Sequence, residues 1–332
     1  MKTIIFFNNK GGVGKTTLVY HFTYMLAELG YNCLAVDLDP QANLTSMFLP
    51  DDELERIYSQ ESNRETLLSG IKPLDRGIGD IARVKIHEVA PNIGLLAGDL
   101  ELSLFEDKLS SNWSKCVDGD EAAFRIVSSF YRIILNETEQ YGAEYCIIDV
   151  GPNFGALNRA TLISADYVVV PMAADLFSLQ GLRNLGNRLS TWKAEWSDRF
   201  NRNRVLDMSL PDGLIKPLGY VVMQHGIKES RHVQSYMKWA NRIPEVFEKY
   251  VLETAVASEK KVENDENCLA VLKHYHSLIP MAMEARKPIF ALKPADGAIG
   301  AHYQAVLRSY QDFKLLSQAI LSKIGESKSM GC

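Results

Sequence analysis

The sequence predicts an α/β fold, with a doubly wound, mostly parallel sheet and helices on both of its faces. Short apolar runs recur along the 332-residue chain, and most are followed by segments with apolar residues at helical spacing. A glycine-rich loop at residues 10–17 joins the first predicted strand to the first predicted helix. Because alternating strands and helices build parallel units, we expect one domain over residues 1–325 and a short tail at 326–332.

Composition limits the class of protein. With 46% hydrophobic residues the chain can bury a substantial core. Its formal net charge of −5 argues against a protein that coats nucleic acid, but it is compatible with a local basic face.

No apolar run reaches the roughly 18 residues of a membrane span, and the first strand starts too early to leave room for a signal peptide. The cysteines lack C-x-x-C spacing, which argues against a disulfide framework or a zinc site. A cytoplasmic protein is therefore expected. The cysteines are Cys33, Cys116, Cys146, Cys268 and Cys332.

Residues 10–17, Lys-Gly-Gly-Val-Gly-Lys-Thr-Thr, have the composition of a phosphate-binding loop. Glycines let the backbone turn so that several N–H groups point at one phosphate chain, and the start of the following helix adds partial positive charge. In this setting Lys15 is expected to reach the β- and γ-phosphates, and the Thr16 hydroxyl to occupy one position on Mg²⁺. The predicted nucleotide-binding residues of the loop are Gly11, Gly12, Val13, Gly14, Lys15, Thr16 and Thr17.

The loop departs from the common G-x-x-x-x-G-K-[ST] pattern in two ways. Asn9 occupies the position of the first glycine, and a second lysine, Lys10, lies inside the loop. The alternative is a chance glycine turn before a helix. The apolar strand at residues 3–7 and the amphipathic helix that follows favour phosphate binding.

Three carboxylates follow two later apolar strands. Asp37 and Asp39 come after a strand at residues 32–36, and Asp149 comes after a strand at residues 145–148. Ligands in open α/β sheets bind at the carboxyl ends of the strands, so these side chains are expected beside the phosphate loop. Each could instead belong to an ordinary acidic turn or strand end. Their order after the loop favours a site in which Asp149 holds Mg²⁺ through water.

These segments together resemble the deviant Walker A ATPases of the ParA/MinD group, which includes partition ATPases, septum-site regulators and the nitrogenase iron protein. The resemblance rests on residues 10–17, on Asp-Leu-Asp-Pro-Gln at residues 37–41 and on Asp-Val-Gly-Pro-Asn at residues 149–153. It is closest to Soj-like, ParA-type partition ATPases without an N-terminal helix-turn-helix. It implies a P-loop NTPase fold and the cofactors ATP and Mg²⁺.

The resemblance also implies roles for single residues. Asp39 would orient the attacking water, Asp37 would support the Mg²⁺ shell, and Lys10 would reach the phosphates of a second subunit. Gln224, which follows a predicted strand, would lie near the adenine. Gly151 stands where the family usually has the first of two prolines, so that turn is expected to be more flexible.

The implied function is ATP hydrolysis coupled to homodimerisation and non-specific DNA binding. A ParB-like or other adaptor protein would stimulate hydrolysis, and the cycle would partition plasmids or chromosomes or position other cargo. Each basic residue alone fits a solvated surface charge, whereas a dimer would bring two sets of them onto one face. The DNA-binding candidates are Arg231, Lys260, Lys261, Arg286 and Lys287, within a wider set that adds Lys228, His232, Lys238, Arg242 and Lys293.

Two other functions stay open. The chain could be an ATP-switched regulator that acts on a protein or membrane partner without DNA. It could also be an amidoligase or synthetase on the same fold, although no substrate motif for one is visible and Lys10 favours the dimer switch. The last helix, expected at residues 302–324, lacks the basic and aromatic residues of a membrane-surface helix, so a membrane partner is not expected.

The rest of the chain is assigned more coarsely. Helices are predicted at residues 102–109, 122–141, 179–200 and 230–249, and the last strand at residues 277–280. His274 and His276 have no further ligands near them in sequence, which argues against a metal site. Two segments, 50–86 and 253–270, are either partner-binding insertions or plain surface elaborations.

Overall fold

The computed structural model describes residues 1–59, 64–205, 207–224, 236–255, 260–273, 275 and 277–325. Strands within these residues form a single eight-stranded sheet in the order β3-β4-β2-β5-β1-β6-β7-β8. Every neighbouring pair is parallel except β3 and β4, so the predicted fold class is confirmed. The strands are β1 Lys2–Phe6, β2 Cys33–Asp37, β3 His87–Ala90, β4 Ile93–Leu96, β5 Tyr145–Asp149, β6 Tyr167–Ala173, β7 Lys216–Gln224 and β8 Cys268–Lys273.

Helices cover both faces of the sheet. The first three helices and the last two pack on one face, and α4 to α10 pack on the other. The helices are α1 Lys15–Glu28, α2 Asn43–Phe48, α3 Asp51–Tyr58, α4 Leu67–Asp75, α5 Glu106–Lys115, α6 Glu121–Val127, α7 Ser129–Tyr141, α8 Ala156–Ser164, α9 Leu176–Arg202, α10 Ile243–Val246, α11 Ile279–Ala285 and α12 Ala301–Ile324.

Strand β1 shows why these apolar runs form central strands. Ile4 and Phe6 belong to the core under one face, and Ile5 belongs to the core under the other. Successive side chains of a strand point to opposite faces, so a strand covered on both sides must be apolar at every position. In β2 all five residues are buried; the first four are apolar, and the last is Asp37 at the carboxyl edge of the sheet.

The strand order brings the predicted site residues together. Strand β1, which leads into the glycine loop, pairs with β5, and β5 pairs with β2. In the β2–β5 register Asp37 lies directly opposite Asp149. The loop and both carboxylates therefore meet at the carboxyl edge of the sheet, as expected for ligand sites in this class of fold.

The helix predicted at residues 122–141 is two helices, α6 and α7, separated at Ser128. The buried Ser128 hydroxyl donates to the carbonyl of Phe124 and accepts a hydrogen bond from Arg132 Nε at 3.1 Å. A serine hydroxyl that bonds to the backbone four residues earlier commonly bends a helix. The other long prediction, residues 179–200, corresponds to α9.

The prediction of a strand at residues 277–280 is wrong. Ile279 begins α11, and Pro280 lies in its first turn, where a missing N–H costs nothing. Among the described residues the last strand is β8, which starts inside the segment 253–270, so that segment ends in the sheet. The helix predicted at residues 230–249 lies partly outside the described residues. Its described part contains α10 and a π-helical turn, Phe247–Val251.

Segment 50–86 is packed onto the core through α3 and α4. Its end is fixed by Asp80, whose two carboxylate oxygens accept from the guanidinium of Arg132 at 2.9 and 2.8 Å. After it comes β3, an antiparallel edge strand that the sequence did not reveal. In the part of the chain that the structure describes, no helix is long and apolar enough to cross a membrane.

Candidate functional site

A cavity of about 730 Å³ opens at the carboxyl edge of the sheet beside the glycine loop. Its walls come from the start of α1, from the segment after β2, and from α11 with the residues that follow it. A second cavity of about 80 Å³ lies behind the loop, between α1, β7 and β8. The two share Gly12, Gly14, Thr17, His21, Ile279 and Ile289.

Glycines 12 and 14 shape the loop that joins β1 to α1. Both have left-handed backbone conformations, with φ of +72° and +81°. A Cβ on Gly14 would also lie 3.2 Å from the Met223 side chain. Gly14 caps α1, and its carbonyl accepts from the amide of Leu18 at 2.9 Å. The loop therefore presents its backbone at the first turn of a helix, the arrangement that binds phosphate.

Lys15 is buried at the start of α1, with only 7% of its surface exposed. Burial lowers the pKa of its ammonium group, and the nearby carboxylates of Asp149 and Asp39 oppose that shift. A cation held between a glycine loop and two carboxylates fits a phosphate chain that carries a bound divalent metal.

Asp149 is fully buried at the end of β5, and among the described residues neither of its carboxylate oxygens has a hydrogen-bond partner. Burial and the charge of Asp37 raise its pKa, while the Thr16 hydroxyl, which is near but outside hydrogen-bond geometry, and the Lys15 ammonium group oppose that rise. An unpartnered buried carboxylate is costly unless something satisfies it. Carboxylate and hydroxyl oxygens suit Mg²⁺ or its bound water, so Asp149 and Thr16 fit the predicted metal.

The carboxylate of Asp37, by contrast, has hydrogen-bond partners within the protein. One of its oxygens accepts from the Thr45 amide at 2.8 Å and from the Thr45 hydroxyl at 2.7 Å, and the other accepts from the Asp39 amide at 3.2 Å. Thr45 in turn accepts from the Gly98 amide. Asp37 thus fixes the segment that carries Asp39.

Asp39 lies at the edge of the cavity with its carboxylate turned towards the loop after β5. One of its oxygens accepts from the Gln41 amide at 3.0 Å, and a Cβ on Gly151 would lie 3.3 Å from that oxygen. The glycine at position 151 therefore permits this close approach. The turn is not loose, because Asn158 Nδ2 donates to the Gly151 and Asn153 carbonyls at 2.8 Å each.

Lys10 lies on the rim of the loop and contacts its own chain. Its ammonium group is 2.5 Å from Asp175 Oδ2 and 3.4 Å from the Ser178 hydroxyl. Asp175 also caps α9 by accepting from the Ser178 amide. Partial burial raises the pKa of Asp175, but the bonds from Lys10 and Ser178 outweigh it and lower the pKa overall. Both partners are about one-third exposed, so the pair can open to solvent.

Gln224, which is predicted to lie near the adenine, is the last residue of β7 and so lies at the carboxyl edge of the sheet. The described residues that line the second cavity include its neighbour Met223, with Leu272 and Ile279, rather than Gln224 itself. Gln224 is therefore one residue away from the lining of this cavity, and its contact with adenine stays a prediction.

Most of the DNA-binding candidates are already engaged. Arg286 bonds to the Leu49 carbonyl and to Asp51, Lys287 to Asp296, and Lys260 to Glu266. Lys261 is exposed. Arg231, like Lys228 and His232 of the wider set, lies outside the described residues.

The sequence did not reveal Asp175, His21 or Thr45 as parts of the site. Asp175 is followed by Ser178 in a helix-capping pattern, but its partner Lys10 is 165 residues away. Thr45 and His21 lie on helices, where nothing in the local pattern distinguishes them from core residues.

Known proteins resemble this chain in sequence and in fold. The AAA_31 family model, described as an AAA domain, matches residues 1–202. Cell division protein PomZ of Myxococcus xanthus is 30% identical over 183 residues, which cover 54% of this chain and 49% of PomZ. Sporulation initiation inhibitor protein Soj of Bacillus subtilis is 28% identical over 186 residues, which cover 56% of this chain and 64% of Soj. The match therefore spans less than two thirds of either relative.

A solved structure supports the fold over the whole chain. McdA of Cyanothece, an aspartate-to-alanine variant in complex with ATP, superposes with a TM-score of 0.62 at 16% identity, covering 100% of this chain and 99% of that one. At this identity the likeness concerns the fold alone. The family match over more than half of the sequence carries the assignment: the chain belongs to the AAA-domain family, in its ParA/MinD (Soj-like) group of deviant Walker A ATPases.

Proposed function

We propose that this protein is a Mg²⁺-dependent ATPase whose nucleotide state switches it between monomer and homodimer. The observation that carries the proposal is the buried, unpartnered Asp149 beside Thr16 and Lys15 at the glycine loop. A buried carboxylate, a hydroxyl and a lysine beside a glycine loop suit a metal-bound triphosphate. The ATP complex of McdA, which shares the fold, supports ATP as the nucleotide.

Hydrolysis then depends on placement and charge. The loop amides and Lys15 would hold the phosphates, and Asp39 would orient the attacking water at the open edge of the cavity. Mg²⁺, held through Thr16 and Asp149, would supply neutralisation of charge on the phosphates. Asp37 would act one step further away, by holding the Asp39 segment through Thr45.

The switch would work through Lys10. We propose that Lys10 leaves Asp175 and reaches the phosphates of a second subunit when two ATP-bound chains meet face to face. A cation placed across the interface would neutralise charge that develops during phosphoryl transfer, so hydrolysis would depend on assembly.

The ATP-bound dimer would bind DNA without sequence preference, and a ParB-like or other adaptor protein would stimulate hydrolysis and release. The protein would thus act in the cytoplasm, on the nucleoid, in partition of plasmids or chromosomes or in positioning of cargo. The names of Soj and PomZ, a sporulation regulator and a cell division protein, fit such a range of cargo.

A second candidate keeps the ATPase and replaces DNA with a protein partner. The observation that favours it is the pairing of Lys260, Arg286 and Lys287 with carboxylates, which leaves fewer cations free for phosphates.

Size and DNA retention of the wild type and Lys10→Ala, with ATP, ADP or no nucleotide, test these proposals. We expect a dimer that retains random duplex DNA only with ATP, and loss of both in Lys10→Ala. Lys115→Ala, which removes an exposed lysine at the end of α5, is the matched control. A dimer without DNA retention would favour the second candidate, and no response of the wild type to ATP would contradict the switch.

A further inference from the structure

One wall of the candidate site is a short segment after α11, and we assign this side to the nucleotide base because the cavity that it shares with Met223, Leu272 and Ile279 is apolar. Ile289 from this segment lines both cavities, and it starts a 3₁₀ turn at Ile289–Ala291. The segment comes from the far end of the chain and also packs on α12, where Phe290 contacts Tyr310 and Phe313, so its distance from the glycine loop depends in addition on its connection to α1.

His21 makes that connection. It lies one turn beyond the phosphate-facing residues of α1 and lines both cavities. Its Nε2 is 3.0 Å from the Ile289 amide, and its Nδ1 is 2.7 Å from the Thr17 carbonyl. A backbone amide can only donate, so Nε2 accepts and Nδ1 carries the proton and donates to Thr17. The contacts therefore define one neutral tautomer.

The surroundings of the ring fix its position. His21 is only 2% exposed, and its ring stacks on Phe313 of α12 with centroids 4.8 Å apart. Burial lowers its pKa to about 4, so the ring is neutral at physiological pH and Nε2 stays an acceptor. A buried histidine in one tautomer and one orientation acts as a rigid link.

We propose that His21 is a positioning residue that fastens the base-side wall to α1, and that it thereby sets the affinity of the site for the base end of a purine nucleotide. The proposal rests on the proposed function, since it concerns the same nucleotide. His21 acts through its hydrogen bond to the Ile289 amide.

The proposal predicts different effects on binding of the base and on binding of the phosphates. The glycine loop, Lys15 and Thr16 are held by β1 and by the start of α1, which do not involve the Ile289 contact. Loss of the link should therefore weaken binding of ATP and leave binding of tripolyphosphate, which has no base, unchanged.

Titration calorimetry with Mg²⁺-ATP and with Mg²⁺-tripolyphosphate tests this in three variants of the full chain. His21→Phe keeps a ring against Phe313 and removes both hydrogen bonds. His21→Gln keeps an acceptor at the position of Nε2. His87→Phe is the control, because His87 is also buried, makes one ring hydrogen bond to the Glu65 carbonyl, and lies outside both cavities.

We expect His21→Phe to weaken ATP about tenfold, which corresponds to about 1.4 kcal/mol, without changing tripolyphosphate binding. His21→Gln should recover most of the ATP affinity, and His87→Phe should retain all of it. Equal weakening of both ligands, unchanged ATP affinity in His21→Phe, or a His21→Gln variant as weak as His21→Phe would each overturn the proposal.

A measurement on the wild type covers the case in which His21→Phe does not fold. The ¹⁵N chemical shifts of His21 should report a proton on Nδ1 and an unprotonated Nε2, and a proton on Nε2 would refute the link. Failure of the wild type to bind ATP, while it still binds tripolyphosphate, would instead reject the proposed function.

Discussion

Asp149 is buried beside Asp37, and its oxygens have no hydrogen-bond partner among the described residues. Asparagine has nearly the same shape without the charge, so Asp149→Asn should not lower the stability of the nucleotide-free protein. The same change should weaken Mg²⁺-dependent ATP binding by about tenfold or more, since a carboxylate is lost from the metal shell. Thermal melting with EDTA and calorimetry with Mg²⁺-ATP separate the two effects. A destabilised nucleotide-free variant would show that Asp149 has a structural role instead.

Lys10 must leave Asp175 if it is to reach a second subunit. Asp175→Asn would keep the cap of α9, because asparagine is an equally good capping residue, and would remove the ion pair. The pair is partly exposed, so its loss should favour the ATP-bound dimer only several-fold. Sedimentation at a series of ATP concentrations would measure this shift. The matched variant Asp175→Ala also loses the cap, and a weaker dimer in Asp175→Asn would contradict the competition between the two contacts.

At this scale the sequence predicts what is local. The glycine loop, Asp37, Asp39 and Asp149 each follow an apolar strand, and in a parallel sheet that alone places them at one edge. The partners of Lys10 and Arg286 are far away in sequence, so no local pattern reveals them. In sequence Arg286 resembles a free surface cation, whereas in the structure it contacts Asp51 and the Leu49 carbonyl.

Among the helices, α9 contains two interior glycines, each at a close approach. A Cβ on Gly186 would lie 2.0 Å from the Tyr250 carbonyl oxygen, and one on Gly181 would lie 2.7 Å from Asn9 Oδ1 in the glycine loop. Replacing glycine by alanine at an open helical position would stabilise the protein by about 1 kcal/mol. A loss of stability on this replacement therefore indicates that the added methyl group has no room.

We expect Gly186→Ala to destabilise the whole protein by about 1–3 kcal/mol, because the Tyr250 backbone must move. Gly181→Ala should cost less stability and should weaken nucleotide binding, because it displaces Asn9. Urea unfolding and ATP titration of both variants test this. A stabilised Gly186→Ala variant would show that the helix and the Phe247–Val251 turn are free to separate.

Asp80 fixes the end of segment 50–86 to α6 and α7. Partial burial opposes ionisation, but hydrogen bonds from Arg132 and Arg125 lower the pKa of Asp80 to about 2. A carboxylate with a depressed pKa stabilises the fold above its unfolded pKa of about 4 and loses that contribution as the pH falls through 2. The difference in urea midpoint between the wild type and Asp80→Asn should therefore shrink as the pH falls from 7 towards 2. A difference that stays constant would mean that the anchor does not depend on charge.

At the scale of elements, strands were easier to predict than breaks between helices. The central strands are continuous apolar runs, which a parallel sheet requires. The division between α6 and α7 depends on the Ser128 hydroxyl, which leaves the apolar spacing intact. Residues 277–280 contain Leu278, Ile279 and Pro280, and this short apolar run gave no indication that Pro280 begins a helix.

For the molecule as a whole, a net charge of −5 means that DNA binding requires free cations on one face. Lys238 and Arg242 meet this condition better than the ion-paired candidates. Each lies 5.3 Å from the ring of Trp239, and among the described residues neither has a carboxylate within salt-bridge distance. Trp239 itself is half-buried against the core, so the two exposed cations, and not the ring, are the groups open to a phosphate backbone.

A dimer would carry Lys238 and Arg242 twice. Their contribution to DNA binding should therefore be measurable as a change in the salt dependence of the affinity. Affinity for duplex DNA falls with salt in proportion to the number of phosphates neutralised, with a slope of about −0.9 for each. The double change Lys238→Ala with Arg242→Ala removes four cations from a dimer and should reduce the slope by about 3 to 4. Lys260→Ala, whose lysine already faces Glu266 at 3.3 Å, should leave the slope unchanged. Fluorescence anisotropy with ATP at several salt concentrations gives both slopes. Equal slopes for the two variants would place the DNA contacts elsewhere, whereas a slope near zero in the wild type would favour a protein partner over DNA.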